Sequence, residues 1–169
     1  MTGRLGELDL AGLRLARTVG HSPDGERWVR RYSRLGQHAA CWLALGAAGA
    51  ATSNGARRAR WHRATGAVAV AYVANQAIKL AVRRPRPQLA DLPPLIPTPT
   101  QLSFPSAHAT SSVAAARAIA GAGLLPAAPL WLAAVGMAAS RVYLGVHYPS
   151  DIVAGMALGA AIGTAGARA

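Results

Sequence analysis

A chain of 169 residues has the length of one domain, and its 52% hydrophobic content, rich in Ala and Gly with a single Phe, suits close helix packing in lipid better than a soluble core. The net charge of +12 comes from seventeen Arg and one Lys against six acids. Four of those acids lie in the first 26 residues, which argues against a clustered multi-carboxylate Mg²⁺ or Ca²⁺ site, and no aromatic-rich basic motif points to nucleic acid.

The mean hydropathy of +0.23 understates how apolar the chain is, because its charges are confined to short segments between apolar runs. Residues 1–20 set Leu5, Leu8, Leu13 and Leu15 among Arg4, Arg14 and Arg17 and predict an amphipathic helix on a membrane surface. No basic start, apolar core and small-residue cleavage site mark a signal peptide. After a turn at His21–Gly25, Arg27, Arg30, Arg31 and Arg34 interleave with Trp28 and Tyr32, as at headgroup level. Residues 1–36 are therefore an interfacial segment and 37–169 the embedded domain.

Residues 39–53 form a short uncharged span containing Cys41, read as a small packed hydrophobe. A basic loop with Arg57, Arg58, Arg60 and Arg63 leads to an apolar helix over 64–82. Pro87, Pro93, Pro94, Pro97 and Pro99 forbid regular structure over 87–104, so this stretch is read as a cover or access loop beside a site. Helices follow over 106–125, opening at an N-cap Ser106, over 127–146, and over 149–167, where Gly155, Gly159 and Gly163 line one face. The fold class is all-α, an integral membrane bundle of about five spans behind an amphipathic helix. Alternation of the spans brings Lys79–Arg86, Pro105–His108 and Arg141–Asp151 to one face of the membrane.

Those three runs carry the chemistry. Lys79, the only Lys, together with Arg86 and Arg141 supplies cations for phosphate oxygens. Ser106 and the backbone N–H groups of Ala107 and His108 belong to a helix N-terminus, itself an anion site. His147 and Asp151 are four apart, so the carboxylate reaches back to one ring nitrogen and leaves the other as nucleophile. His108 then protonates the leaving alkoxide. The set amounts to a metal-free phosphatase working through a phosphohistidine. Arg117 falls on the far face of its helix and is left out of the site, His21, His38 and His62 read as wetted interfacial histidines, and Arg83 and Arg84 are either phosphate contacts or interface charges.

These residues resemble the three-part signature of the type-2 phosphatidic acid phosphatase superfamily, K-x6-RP, PSGH and SR-x5-H-x3-D. Lys79 through Arg86-Pro87 matches the first part, Pro105-Ser106-Ala107-His108 the second with Ala107 where Gly is usual, and Ser140-Arg141, His147 and Asp151 the third. The resemblance implies a helical membrane bundle and dephosphorylation without metal or other cofactor. It implies His147 as nucleophile, Asp151 as its partner, His108 as acid, and Lys79, Arg86, Ser106, Ala107 and Arg141 as phosphate ligands. The extra methyl of Ala107 bears on substrate size and rate.

The Arg- and Ala-rich composition is similar to that of compact actinobacterial members, one of which is linked to decaprenylphosphoryl-5-phosphoribose in cell-wall arabinan synthesis. The expected partners are a lipid-linked phosphate and membrane lipids, at a multi-pass location in the cell membrane with the site facing out of the cytoplasm. Rival readings are a polyprenyl diphosphate phosphatase for carrier recycling, hydrolysis of phosphatidate or phosphatidylglycerophosphate, a non-catalytic binder of anionic lipid, and a vanadate-dependent haloperoxidase. The pair of histidines with Asp151 favours an enzyme over a binder, since lipid binding needs only Arg and Lys.

Overall fold

The computed structural model describes residues 3–168, so Met1, Thr2 and Ala169, which fall inside the sequence-based boundaries, lie outside it. Among the described residues the regular structure is helical apart from one isolated bridge between Pro85 and Leu102.

Two amphipathic helices come first, α1 (Arg4–Thr18) and α2 (Pro23–Leu35). The Ser22 hydroxyl caps α2 by accepting the Gly25 N–H at 3.1 Å, with Pro23 in the first turn, where its missing N–H costs nothing. In α1 the leucines Leu5, Leu8 and Leu15 point outward, each more than half exposed, while Asp9, Leu13 and Arg17 are buried. This polarity is inverted relative to a soluble protein. It fits a helix with an apolar surface toward lipid and two charged side chains toward the protein. His38 and Ala39, both in the left-handed region (φ 53° and 60°), turn the chain from α2 into α3 (Ala40–Ala51).

The bundle continues with α4 (Gly55–Val82), α5 (Ala107–Gly121), α6 (Ala127–Tyr143) and α7 (Pro149–Arg168). Residues 54–63 are not the expected loop. They form the first turns of α4, because Ala and Arg are strong helix formers and the long arginine stems reach useful partners. Arg57 donates to the Leu124 carbonyl at 3.1 Å and Arg60 to the Ala122 carbonyl at 3.0 Å, both just past the end of α5, where carbonyls have no helical partner.

Among the described residues α4 and α7 are the two helices long and apolar enough to cross a membrane. Helices α3, α5 and α6, of 12, 15 and 17 residues, fall short of the ~30 Å hydrocarbon core at ~1.5 Å per residue. The five expected spans thus divide into two full-length helices and three shorter ones packed with them. Helix α5 has little lipid to meet, since every residue from Ala109 to Ala116 is buried. Its closest neighbour is α7. Methyl groups added at Gly155 and Gly163 would come within 2.7 Å of the Ser106 and Ala114 carbonyl oxygens, and one at Gly159 would strike the Thr110 carbonyl. The glycine face therefore lets two backbones approach closely, as its spacing predicts. Trp42, Trp61, Val68, Val113, Ile119 and Leu130 fill the core, with the Trp42 indole donating to Ser112 Oγ at 2.8 Å.

Candidate active site

The C-termini of α4 and α6 and the N-termini of α5 and α7 meet at one end of the bundle, beside a cavity of about 410 Å³. Lys79, Arg86, Ala107, His108, Arg141 and His147 all line it. The proline-rich segment is irregular, as expected, and Ile96–Thr100 forms part of the wall. Ser106 and Asp151 are fully buried and do not line the cavity, although both touch residues that do.

Helix α7 begins at Pro149, so Asp151 sits in its first turn and reaches back over the preceding loop. Its Oδ2 accepts the Tyr148 N–H at 2.9 Å and lies 3.3 Å from His147 Nδ1. A carboxylate accepts only, so Nδ1 carries the ring proton and Nε2 presents its lone pair. The Arg86 guanidinium lies 3.1 Å from that Nε2 and also donates to the Val146 and Thr100 carbonyls, both at 2.7 Å. Burial, followed by the charges of Arg86, Arg141 and Lys79, holds the His147 ring well below the usual histidine range, so the ring stays neutral at physiological pH. Burial also brings Arg86 down to about 10, still charged at neutral pH.

The other cations are held differently. Lys79, 4% exposed, spends its ammonium on the carbonyls of Leu102, Ser103 and Pro105 at 3.2, 3.2 and 3.0 Å. It pins the end of the proline-rich segment and adds charge to the cavity wall without a spare N–H. Arg141 donates to Ser33 Oγ, and His108 Nε2 lies 3.0 Å from the Ser33 carbonyl. Ser106 caps α5 with its hydroxyl facing the Ala109 N–H at 3.5 Å, and its own N–H donates to the Asp151 carbonyl at 3.0 Å, tying α5 to α7. Ala107 is the first residue of α5, so its N–H precedes the helix's own hydrogen-bond pattern. Among the described residues no three His, Cys, Asp or Glu side chains are grouped as a metal site requires.

Several residues here escaped the sequence reading. Tyr72 and Gln76 line the cavity with Lys79, and their spacing of four and three places all three on one face of α4, a signal the sequence did contain. Ser33 also lines it from the segment read as interfacial, and Gln37 and His38 from just beyond its boundary, and no local pattern announces them. His38 is more than a wetted histidine, since its Nδ1 bonds the Tyr72 hydroxyl at 2.7 Å. Nor is His21 simply wetted. It stacks on Tyr143 at 4.0 Å and bonds Glu26 and the Ala16 carbonyl. Arg117 stays away from the site and donates to Thr164 at 3.0 Å. Arg84 turns away from the cavity toward Asp9 and Asp151.

A helical bundle with a carboxylate-held imidazole at the wall of a cation-lined cavity has the geometry of a phosphoryl-transfer site. The chain belongs to the PAP2 superfamily, whose sequence pattern matches residues 60–169, more than half of its length. A decaprenylphosphoryl-5-phosphoribose phosphatase from Mycolicibacterium smegmatis is 45% identical over 127 residues, covering 75% of this chain and 69% of that protein. The protein of the same name from Mycobacterium tuberculosis is 46% identical over 135 residues, 80% of this chain and 75% of its own. Among solved structures, the transmembrane PAP2-type phosphatidylglycerolphosphate phosphatase from Bacillus subtilis has the same fold, with a TM-score of 0.81 at 22% identity over 98% of this chain and 85% of that one. The chain is thus a phosphatase of the membrane, built on the expected all-helical architecture.

Proposed function

We propose that this phosphatase removes the terminal phosphomonoester of decaprenylphosphoryl-5-phosphoribose, or a closely similar lipid-linked sugar phosphate, through a phosphohistidine. The observation that carries the mechanism is His147, with Nδ1 held by Asp151 and Nε2 against the Arg86 guanidinium at the cavity wall. A phosphate entering the cavity draws Arg86 and Arg141 onto its oxygens and uncovers Nε2. Nε2 attacks phosphorus, the bond to the sugar oxygen breaks, and His108, charged once the bound phosphate offsets Arg141 and keeping Nε2–H on the Ser33 carbonyl, gives that oxygen the proton of its Nδ1. Water then attacks the phosphohistidine, His108 takes back a proton, and inorganic phosphate leaves. Lys79 lowers the cost of the added negative charge from its place on the loop carbonyls, and the Ala107 N–H and the capped start of α5 face the same anion. The steps need cations and a neutral imidazole, and no metal.

Support for the substrate comes from the two relatives bearing its name, each matched over more than two thirds of its length. The polar wall of Gln37, His38, Tyr72 and Gln76 suits a hydroxyl-bearing headgroup, which a bare prenyl phosphate lacks. The protein crosses the membrane several times, with residues 1–36 at the interface and 37–169 embedded. The active site facing out of the cytoplasm rests on likeness to the family, since Arg57–Arg63 at the far end of α4 are matched by Arg27, Arg30, Arg31 and Arg34 on the side of the site.

The test is phosphate release by the purified protein in detergent with excess chelator, from lipid-linked sugar phosphates, prenyl phosphates and diphosphates, and phosphatidylglycerophosphate. Turnover is expected to survive chelation, to be fastest on the sugar phosphate and to disappear in His147→Ala. Equal release by that variant removes the phosphohistidine, and a preference for a prenyl diphosphate replaces the substrate with a carrier lipid.

A further inference from the structure

Behind the His147–Asp151 pair lies a second, buried charge network to which the proposed reaction assigns no role. Arg84 bridges two carboxylates, with one terminal nitrogen 2.7 Å from Asp9 Oδ2 and the other 2.7 Å from both Asp151 Oδ1 and Ser150 Oγ. The side chains of Arg84, Asp9 and Asp151 are 10%, 3% and 0% exposed. Asp9 also accepts the Ser150 N–H at 2.8 Å and its hydroxyl at 2.6 Å, so α1 is fastened to the first turn of α7 by five hydrogen bonds on one carboxylate and one guanidinium. The guanidinium lies 4.0 Å over the Tyr148 ring, which fixes its plane. Burial pushes the Asp9 carboxyl up, but the bonds from Ser150 and Arg84 outweigh it and hold the group below the usual carboxylate range.

We propose that Arg84 and Asp9 are positioning residues that set the orientation and charge of Asp151, and through it the tautomer of His147. The proposal rests on the assignment of His147 as nucleophile. Asp151 uses Oδ2 for the Tyr148 N–H and the imidazole, and Oδ1 for Arg84. A buried carboxylate without a cation tends to take up a proton, and a protonated Asp151 no longer holds Nδ1–H. A bare arginine beside Asp151 would draw its charge away from the imidazole, and Asp9 offsets that pull by sharing the guanidinium. Asp9 lies outside the stretch matched by the family pattern, so the amphipathic N-terminal helix contributes to the site.

The experiment compares the full chain in detergent with Arg84→Ala, Arg84→Lys, Asp9→Asn, Asp151→Ala and the double variant Arg84→Ala/Asp151→Ala. The readouts are kcat, KM, the pH profile and the ¹⁵N ring shifts of His147. Loss of an outer partner of an oriented histidine typically costs ~10–100-fold. Arg84→Ala is expected to lose kcat on that scale with KM little changed, and Arg84→Lys to recover part of it. Asp9→Asn should fall between wild type and Arg84→Ala. The double variant should be no slower than Asp151→Ala alone, because Arg84 acts through Asp151. The ring shifts should show the Nδ1–H tautomer in wild type and a mixture in Arg84→Ala.

Wild-type kcat and a single tautomer in Arg84→Ala, or a further loss in the double variant, would overturn the proposal. If His147→Ala proves active, the nucleophile assignment fails on its own, and the ring shifts still decide whether Arg84 governs the tautomer.

Discussion

At the residue scale, the decisive feature is how one imidazole is kept neutral and aimed. His147 is depressed by burial first and then by Arg86, Arg141 and Lys79. A depressed value means that the Nε2 lone pair survives as the pH falls below the ordinary histidine range. The acid limb of kcat/KM should therefore lie well below pH 6.5, the unperturbed value. Arg86→Ala removes the nearest cation. The His147 ring then gains protons more readily and the acid limb moves to higher pH, while kcat/KM falls about 10²–10³-fold with the loss of a charge-stabilising donor. A pH–rate profile of the two proteins checks both effects, and an unmoved acid limb would mean that another group sets it. Ser33→Ala probes the opposite wall. Arg141 loses its side-chain partner, and KM should rise several-fold with the Ser33 carbonyl and His108 left in place.

At the scale of elements, α5 and α7 act as one unit because the glycine face lets them touch through backbone atoms. Gly159→Ala sets a methyl against the Thr110 carbonyl, where only the helix itself can give way. Overpacking of this kind costs ~1–3 kcal/mol. Since α7 carries Asp151 and α5 carries His108, thermal inactivation and kcat should worsen together. Gly66→Ala is the control, with nothing within 4 Å of the new methyl, and should leave the protein as stable or more so. Helix α1 gives a pH test. Asp9 in the folded protein titrates below the 3.8 of a free side chain, so its stabilising contribution is present above 3.8 and is lost as the pH falls through the folded value. Hydrogen exchange of α1 amides should accelerate below that point before the bundle itself opens.

At the scale of the whole molecule, the N-terminal segment turns an apolar face outward and forms a wall of the site. Its outward face bears Leu5, Leu8 and Leu15, while inward it sends Asp9 to Arg84 and, through α2, Ser33 to Arg141 and His108. Replacing the three leucines with Ser should slow turnover of vesicle-embedded lipid substrate several-fold and leave a detergent-dispersed short-chain substrate almost unaffected. Equal loss on both would mean that these leucines hold the protein together rather than engage lipid.

The sequence by itself determined the helical runs apart from the basic first turns of α4, the irregular proline-rich segment, the glycine face and the end of the bundle where the polar runs gather. Each of these follows from local chemistry. Proline removes a donor, glycine admits a close neighbour, alternation of apolar runs assigns ends, and a four-residue separation lets Asp151 reach His147. The resemblance of the three runs to a known signature added the family. Only the tertiary structure decided what the remaining polar side chains do. Arg84 and Asp9 are 75 residues apart, Arg141 and Ser33 are 108 apart, and Ser150 and Asp9 are 141 apart. Periodicity states which face of a helix is turned inward but not which distant face it meets. The polar partners of the candidate site residues were thus decided when α1 and α2 packed back against α6 and α7.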